Sequence, residues 1–338
     1  MERFAFNSWT GKSWAGATAA AAMAFGLATS AQAVEWDLPL AWPNGNFHVE
    51  NARTFAKVVG QVTGGAVKIN IHPGGSLGFK GPEMLTSIRD GLIPIGDVLL
   101  IQQSGENKLL GLEAQPFMTK NLDELAILHR RFRPAVDRIA AAYNQKILYM
   151  VPWPRQYVYT KVPAKTVADL RGIKIRTYNA STTEMFNRIG MTAVQLPWGE
   201  VVPSLAAGTI DAVTTSASSG VDGKFWEFLK FMYPASHVWS SNVVSVNLDS
   251  WNGLSRAHRD AIEGAANALQ AVFWQVSKSE DDAKAAILNA KGVAMGVVTP
   301  AMIGEMQALT EPMQGNYIKA VGPQAKAIIE GYLKDVGR

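Results

Sequence analysis

An arginine ends the alternating stretch Ile173-Lys174-Ile175-Arg176, and the polar run Thr177-Tyr178-Asn179-Ala180-Ser181 separates it from a helix-like pattern. A guanidinium so placed has two uses. It can grip a carboxylate through two parallel N–H donors, at a charge-assisted strength of about 1.5–3 kcal/mol. It can equally be a solvated charge or half of a structural ion pair, and local pattern favours neither. The surroundings suit an anion. Ser181 and Glu184 fit an S-x-x-E capping box, which predicts a helix N-terminus with free N–H groups beside the arginine. Open α/β sheets collect ligands outside the carboxyl ends of their strands. Arg171 and Lys174 read as solvated or structural charges.

Further polar and aromatic residues stand at comparable places. Arg155 and Gln156 lie in the Trp- and Tyr-rich segment Pro152–Thr160, with Trp153 beside them. Tyr178 and Asn179 follow Arg176 directly, and Trp198 sits on a Pro-containing turn ahead of a helix. Asn46 and Phe47 follow the first strand-like stretch, a matching position nearer the N-terminus. Thr214, Thr215 and Ser216 end another short strand, where hydroxyls can donate to or accept from a ligand. Each aromatic residue is either a pocket wall or ordinary core.

Most catalytic chemistries find no support. The chain has no cysteine, which removes disulfides, thiolate nucleophiles and cysteine-ligated zinc. It has no H-E-x-x-H and no G-x-S-x-G. In "HPGGSLGFKG" Phe79 interrupts the spacing of a phosphate loop. His48, His72, His129, His237 and His258 are dispersed without metal-ligand spacing. No cofactor is expected. A catalytic triad assembled from distant residues is the remaining route to an enzyme.

Two segments that look like variants of one unit must position these residues. The first runs from the strand "VKINI" (Val67–Ile71) through a helix-like Glu83–Gly91 to the strand Leu92–Leu100. The second runs from "IKIRT" (Ile173–Thr177) through helices at Thr182–Ile189 and Trp198–Gly208 to Thr209–Ser216. Gly91 and Gly208 suit helix C-caps. Strand–helix–strand order predicts parallel sheets in two α/β lobes. Phe55, Val58, Val59 and Val62 share a face of an expected helix within Gly45–Gly65. Asn121–Lys146 reads as one or two helices. Lys146–Pro154 reads as a strand leading to a crossing, and Val243–Trp251 as another strand. Ser255–Gly292 reads as a helix long enough to touch both lobes, followed by a helical tail broken near Pro312.

The N-terminus carries Arg3 and Lys12, an uncharged Ala-rich run over Trp14–Leu27, and small residues at Ala31 and Ala33. That is the pattern of an export signal, too short to span a bilayer, with cleavage expected near Ala33. The formal net charge of +4 is spread over 338 residues without a basic run, so nucleic acid is not an expected partner.

Taken together, "HPGGSLG", "PEMLTSIRDGLIPIGDV", "VADLRGIKIRTYNAST" and "GEVVPSLAAGTIDAV" resemble, in that order and spacing, the extracytoplasmic solute-binding proteins of TRAP (tripartite ATP-independent periplasmic) transporters. The resemblance covers essentially the whole chain after the leader. It implies an α/β, two-lobed periplasmic binding protein fold (type II-like), with a cleft between the lobes and a long helix spanning both. It implies a first lobe of residues 34–152 plus about 242–280, and a second of 153–241 plus about 281–338. Arg176 stands at the family's D-L-x-G-x-K-x-R arginine, which implies pairing with a ligand carboxylate. Arg155, Gln156 and Asn179 are the implied polar partners, and Thr214–Ser216 fall where a ligand-facing residue often lies. The chain departs from the commonest form in having "DAVTTSAS" after the G-x-I-D turn. Trp153 and Trp198 point to an apolar or aromatic acid. The expected partners are a small carboxylate and the membrane permease. The alternatives are an exported enzyme acting on small carboxylates and a ligand-sensing subunit.

Overall fold

The strand-like stretches fold as strands, but their pairing departs from a simple repeat of two units. The structure, a computed structural model, describes Met1 and Ala33–Arg338. The expected leader lies, Met1 and Ala33 apart, outside the described residues. In chain order the strands are β1 (Val34–Pro39), β2 (Val67–His72), β3 (Ile95–Leu99), β4 (Gln145–Pro152), β5 (Gln156–Thr160), β6 (Lys174–Thr177), β7 (Thr192–Gln195), β8 (Ala212–Ser216), β9 (Phe231–Tyr233), β10 (Ser241–Asn247) and β11 (Ala294–Met295).

Two sheet systems result, one per lobe. In the first, β1 and β2 pair in parallel, β10 lies antiparallel between β3 and β4, and β1 packs beside β3. The second has the order β11-β9-β5-β8-β6-β7. The two expected units are present. One is β2, the helix Met84–Arg89 and β3. The other is β6, the helix Ala180–Ile189, β7, the helix Val201–Ala206 and β8. Gly91 (φ 71°) and Gly208 (φ 68°) stand just past their helices in the left-handed conformation that turns the chain back.

The sheets are mixed rather than purely parallel. β6 pairs in parallel with β7 and β8, but β5 runs antiparallel to β8, and β10 runs antiparallel to β3. The crossings explain the difference. β4 continues through Trp153-Pro154-Arg155 into β5, and β9 leads back through residues 234–240 into β10. Each lobe therefore receives one strand arriving from the other.

The helix Arg256–Ala290 runs for 35 residues, about 50 Å at 1.5 Å per residue. One of its faces follows the first crossing. Gln270 Oε1 accepts the Met150 N–H (2.9 Å), and Trp274 Nε1 donates to the Met150 carbonyl (2.9 Å). Ser277 Oγ donates to the Pro152 carbonyl (2.7 Å), and Asp281 Oδ1 accepts from the Tyr157 hydroxyl (2.9 Å). The spacing 270, 274, 277, 281 keeps these side chains on one stripe. Gln270, Trp274 and Ser277 satisfy the free edge of β4, which would otherwise invite another strand.

The helix Phe47–Val62 turns Phe55 and Val59 inward, while Val58 is half-buried and Val62 is exposed at the last turn. The segment Leu122–Ala142 is one helix, with Pro134 inside it. Val243–Trp251 divides into β10 and the short helix Leu248–Asn252. The tail forms three helices, each starting at a proline: Pro300–Thr310, Pro312–Val321 and Pro323–Asp335. The first packs on Ala180–Ile189 in the second lobe. The last packs on Leu122–Ala142, burying Ala325, Ile328, Ile329 and Tyr332 in the first-lobe core. The chain end thus packs on the first lobe, whereas residues from about 281 to 338 are expected with the second.

Candidate functional site

Arg176 is the third residue of β6. Its helix, Ala180–Ile189, buries Met185, Phe186 and Ile189 and so fixes the end of that strand. Each such burial contributes about 1.5–3 kcal/mol. The helix begins earlier than the S-x-x-E pattern predicts. Asn179 takes an extended backbone and is the N-cap, its Oδ1 accepting from the Thr182 N–H (3.0 Å). Thr182 Oγ1 accepts in turn from the Asn179 N–H (3.4 Å). Ser181 instead donates to the Ala114 carbonyl (2.9 Å), and Glu184 accepts from Arg188 Nε (2.8 Å).

The Arg176 residue is only 3% exposed. Its Nε donates to the Leu196 carbonyl (3.0 Å), and its guanidinium carbon lies 5.5 Å from the centre of the Tyr178 ring. Among the described residues no carboxylate lies within ion-pair reach. Burial pushes its pKa down to about 10, which leaves it charged at neutral pH. An uncompensated buried charge costs several kcal/mol, so this cation is costly to the fold unless an anion arrives.

The guanidinium lines a narrow cavity between the lobes. The first lobe supplies Trp42, Leu99 and Gln102, from the carboxyl-end sides of β1 and β3. The crossings supply Trp153, Gln156 and Ser240, and the second lobe supplies Arg176, Tyr178, Trp198, Thr215 and Ser219. The Tyr178 hydroxyl donates to Gln156 Oε1 (3.3 Å), and Gln156 Nε2 donates to the Pro154 carbonyl (2.9 Å). Burial holds the Tyr178 hydroxyl well above the ordinary tyrosine pKa, so it stays a donor. Gln102 Oε1 is buried without a hydrogen-bond partner. The site therefore combines one cation, three indoles and a few amides and hydroxyls.

Trp153, Gln156, Arg176, Tyr178, Trp198 and Thr215 are thus brought together. The other sequence candidates lie off the cavity lining. Arg155 turns away, its Nε 3.0 Å from Asp281 Oδ2, with 40% of its side chain exposed. Asn179 caps its helix and reaches the Ile101 carbonyl (3.4 Å). Thr214 pairs with His237 Nε2 (2.8 Å), a ring that burial keeps neutral by pushing its pKa down to about 3. Ser216 caps the helix Ala217–Asp222. Asn46 caps Phe47–Val62 and donates to Asp222 Oδ2 (2.7 Å) on the opposite lobe. Phe47 packs against Trp153, ring centres 5.2 Å apart. We expect Arg155→Ala to change ligand affinity less than about threefold, because its partner is Asp281, and calorimetry checks this.

Trp42, Leu99, Gln102, Ser219 and Ser240 were not among the sequence candidates. The strand-end rule could have found the first three, and Ser219 lies in the hydroxyl-rich "TTSASSG". Ser240 gives no local signal, because only the second crossing brings it to the cleft.

One serine–histidine–carboxylate cluster exists elsewhere. Ser241 Oγ donates to Glu113 Oε1 (2.9 Å) and lies 3.3 Å from His129 Nε2, which itself bonds Glu113. Ser241 is fully buried, so the cluster offers no nucleophile to a substrate. Among the described residues no group of His, Asp and Glu is placed to hold a metal, and no helix is long and apolar enough to cross a membrane.

Fold and site together define a two-lobed protein with a buried cation in the cleft between its lobes. The chain belongs to the bacterial extracellular solute-binding proteins of family 7, the receptors of TRAP transporters, whose family model matches residues 40–320. A TRAP solute-binding protein from a marine metagenome, specific for pyroglutamate and solved with co-purified pyroglutamate, is 33% identical. It superposes with a TM-score of 0.86 over 90% of this chain and 99% of that chain. A Bordetella pertussis extracytoplasmic solute receptor that binds pyroglutamic acid is 28% identical, with a TM-score of 0.86 over 89% of this chain and 99% of that one. The 2,3-diketo-L-gulonate-binding periplasmic protein of Escherichia coli is 27% identical over 260 residues, 73% of this chain and 76% of its own. These relatives are receptors, and the chain captures solute for a TRAP transporter.

Proposed function

We propose that the cleft captures a small monocarboxylate of the pyroglutamate class and hands it to the membrane permease. The observation that carries this is Arg176, a buried cation without a carboxylate partner among the described residues, facing a cavity that no other charged side chain lines. A second carboxylate on the ligand would be buried unpaired there, which argues against dicarboxylates. Leu99 and the indoles of Trp42, Trp153 and Trp198 suit a compact, weakly polar body. The Gln102 amide in the lining offers a hydrogen-bonding group to a polar ligand atom such as that of a lactam. The 33% and 28% identical pyroglutamate receptors support the same class.

On this reading the two sheet systems swing about Pro152–Gln156 and residues 233–241 and close on the ligand. Asn46–Asp222 and Lys80–Glu200, the latter at 3.8 Å, join their rims. Export with cleavage near Ala33 would deliver the receptor to its permease.

Calorimetry and thermal shift with L-pyroglutamate test the proposal. The expected result is one site per chain and, at about one hundred times Kd, about 2.7 kcal/mol of added stability. Succinate should bind at least about tenfold more weakly, since one of its carboxylates lacks a cation. Equal or tighter binding of succinate overturns the monocarboxylate assignment. Native mass spectrometry that finds a co-purified dicarboxylate does the same.

A further inference from the structure

Two of the three indoles in the cavity wall depend on one buried carboxylate that does not itself line the cavity. Asp97, in β3, is 5% exposed, and among the described residues it has no cationic partner. Its Oδ1 accepts from Trp42 Nε1 at 2.8 Å and from the side-chain amide of Asn242. Asn242 Oδ1 accepts in turn from Trp153 Nε1 at 2.7 Å. Trp42 and Trp153 meet edge to face, ring centres 4.7 Å apart and planes at 74°, and both line the cavity.

An indole N–H is donor only, and once buried it needs an acceptor. Trp42 follows β1 and Asn242 is in β10, so two separate segments converge on one oxygen, and Trp153, on the first crossing, reaches it through Asn242. A carboxylate is a costly group to bury unpaired, and an aliphatic side chain would fill the same space at lower cost. What the carboxylate supplies is the acceptor that holds both rings in one orientation.

We propose that Asp97 is a positioning residue of the receptor: through Trp42 directly, and through Asn242 to Trp153, it sets the shape of the first-lobe wall and so the affinity for the ligand. The affinity part rests on the cavity being the ligand site, as proposed above, whereas the orientation of the indoles can be read without ligand.

The test pairs near-ultraviolet circular dichroism of the ligand-free protein with calorimetry using pyroglutamate. Asp97→Ala should lose most of the indole signal and bind about tenfold or more weakly, within the range of coupled contacts. Asp97→Asn should restore both, because an amide oxygen in the Oδ1 position accepts the same two N–H groups. Asn242→Ala, which cuts only the Trp153 arm, should lose part of the signal. In a Trp42→Phe/Trp153→Phe background, where no ring needs an acceptor, Asp97→Ala should weaken binding no further. An unchanged indole signal in Asp97→Ala overturns the proposal, as does a full additional loss in the double-phenylalanine background. Should Asp97→Ala fail to fold, Asp97→Asn and Asn242→Ala still decide: loss of signal in the first, or none in the second, overturns it. Failure of the wild type to bind pyroglutamate counts against the ligand assignment alone, because the dichroism still reports the rings.

Discussion

Arg176→Ala is expected to abolish ligand-induced thermal stabilisation while leaving the ligand-free protein at least as stable as wild type. The two halves share one cause. With the rims in contact the guanidinium is buried, pushed down to about 10 by desolvation, and bonded through Nε to a single carbonyl. Removing it relieves an uncompensated charge. In the complex it is the partner of the carboxylate, and truncating one member of a buried charge pair costs about 2–5 kcal/mol, a loss of about thirtyfold or more. Arg176→Lys keeps the charge but loses the planar fork and the Nε bond, so it should also bind weakly, by about tenfold. Calorimetry gives the affinities, and a denaturant series at constant slope gives the stability. Wild-type affinity in Arg176→Ala would remove the central assignment.

The second large effect concerns pH. Burial pushes the Asp97 carboxyl up to about 7 from an ordinary 3.8, although its bonds from Trp42 and Asn242 pull it partly back. The folded state therefore holds this proton more tightly than the unfolded chain. Stability from the group is fully present below about pH 4 and is lost as pH rises through about 7, by at most about 4 kcal/mol. Asp222, pushed up to about 6 by burial, acts in the same sense. His48 and His237, pushed down to about 3 by burial, act in the opposite sense, because unfolding in acid lets them charge. The whole-protein profile mixes these trends, so the difference between Asp97→Asn and wild type is the quantity to read. It should favour the variant by about 2–3 kcal/mol more at about pH 8 than at about pH 5. A pH-independent difference would show that Asp97 is not buried as described.

Local pattern carried the elements well. Period-two alternation located β2 and β6, and the glycines marked two helix ends. The strand-end rule put Arg176 and the hydroxyls ending β8 beside a cleft. The same rule misplaced individual side chains. Thr214 and Thr215 are neighbours on one strand, yet the pleat sends Thr215 to the cavity and Thr214 to His237. The capping box moved from Ser181 and Glu184 to Asn179 and Thr182, because both pairs fit a helix start and the backbone at Asn179 chose between them.

What the sequence by itself determined is the class of element around Arg176, the two α/β units with a long helix beyond them, and membership in a receptor family. These follow from spacings of two to four residues and from motif order, which the linear chain contains. Only the tertiary structure decided which cations are free. Arg155 met Asp281, over a hundred residues along the chain, and Arg176 met no acid among the described residues. It also joined Trp42 to Asp97, Trp153 to Asn242, and Asn242 to Asp97, pairs separated by 55, 89 and 145 residues. Such contacts arise where segments far apart in the chain pack together. No local periodicity encodes them, because the partner of a buried polar group is chosen by whichever segment the fold brings within about 3 Å.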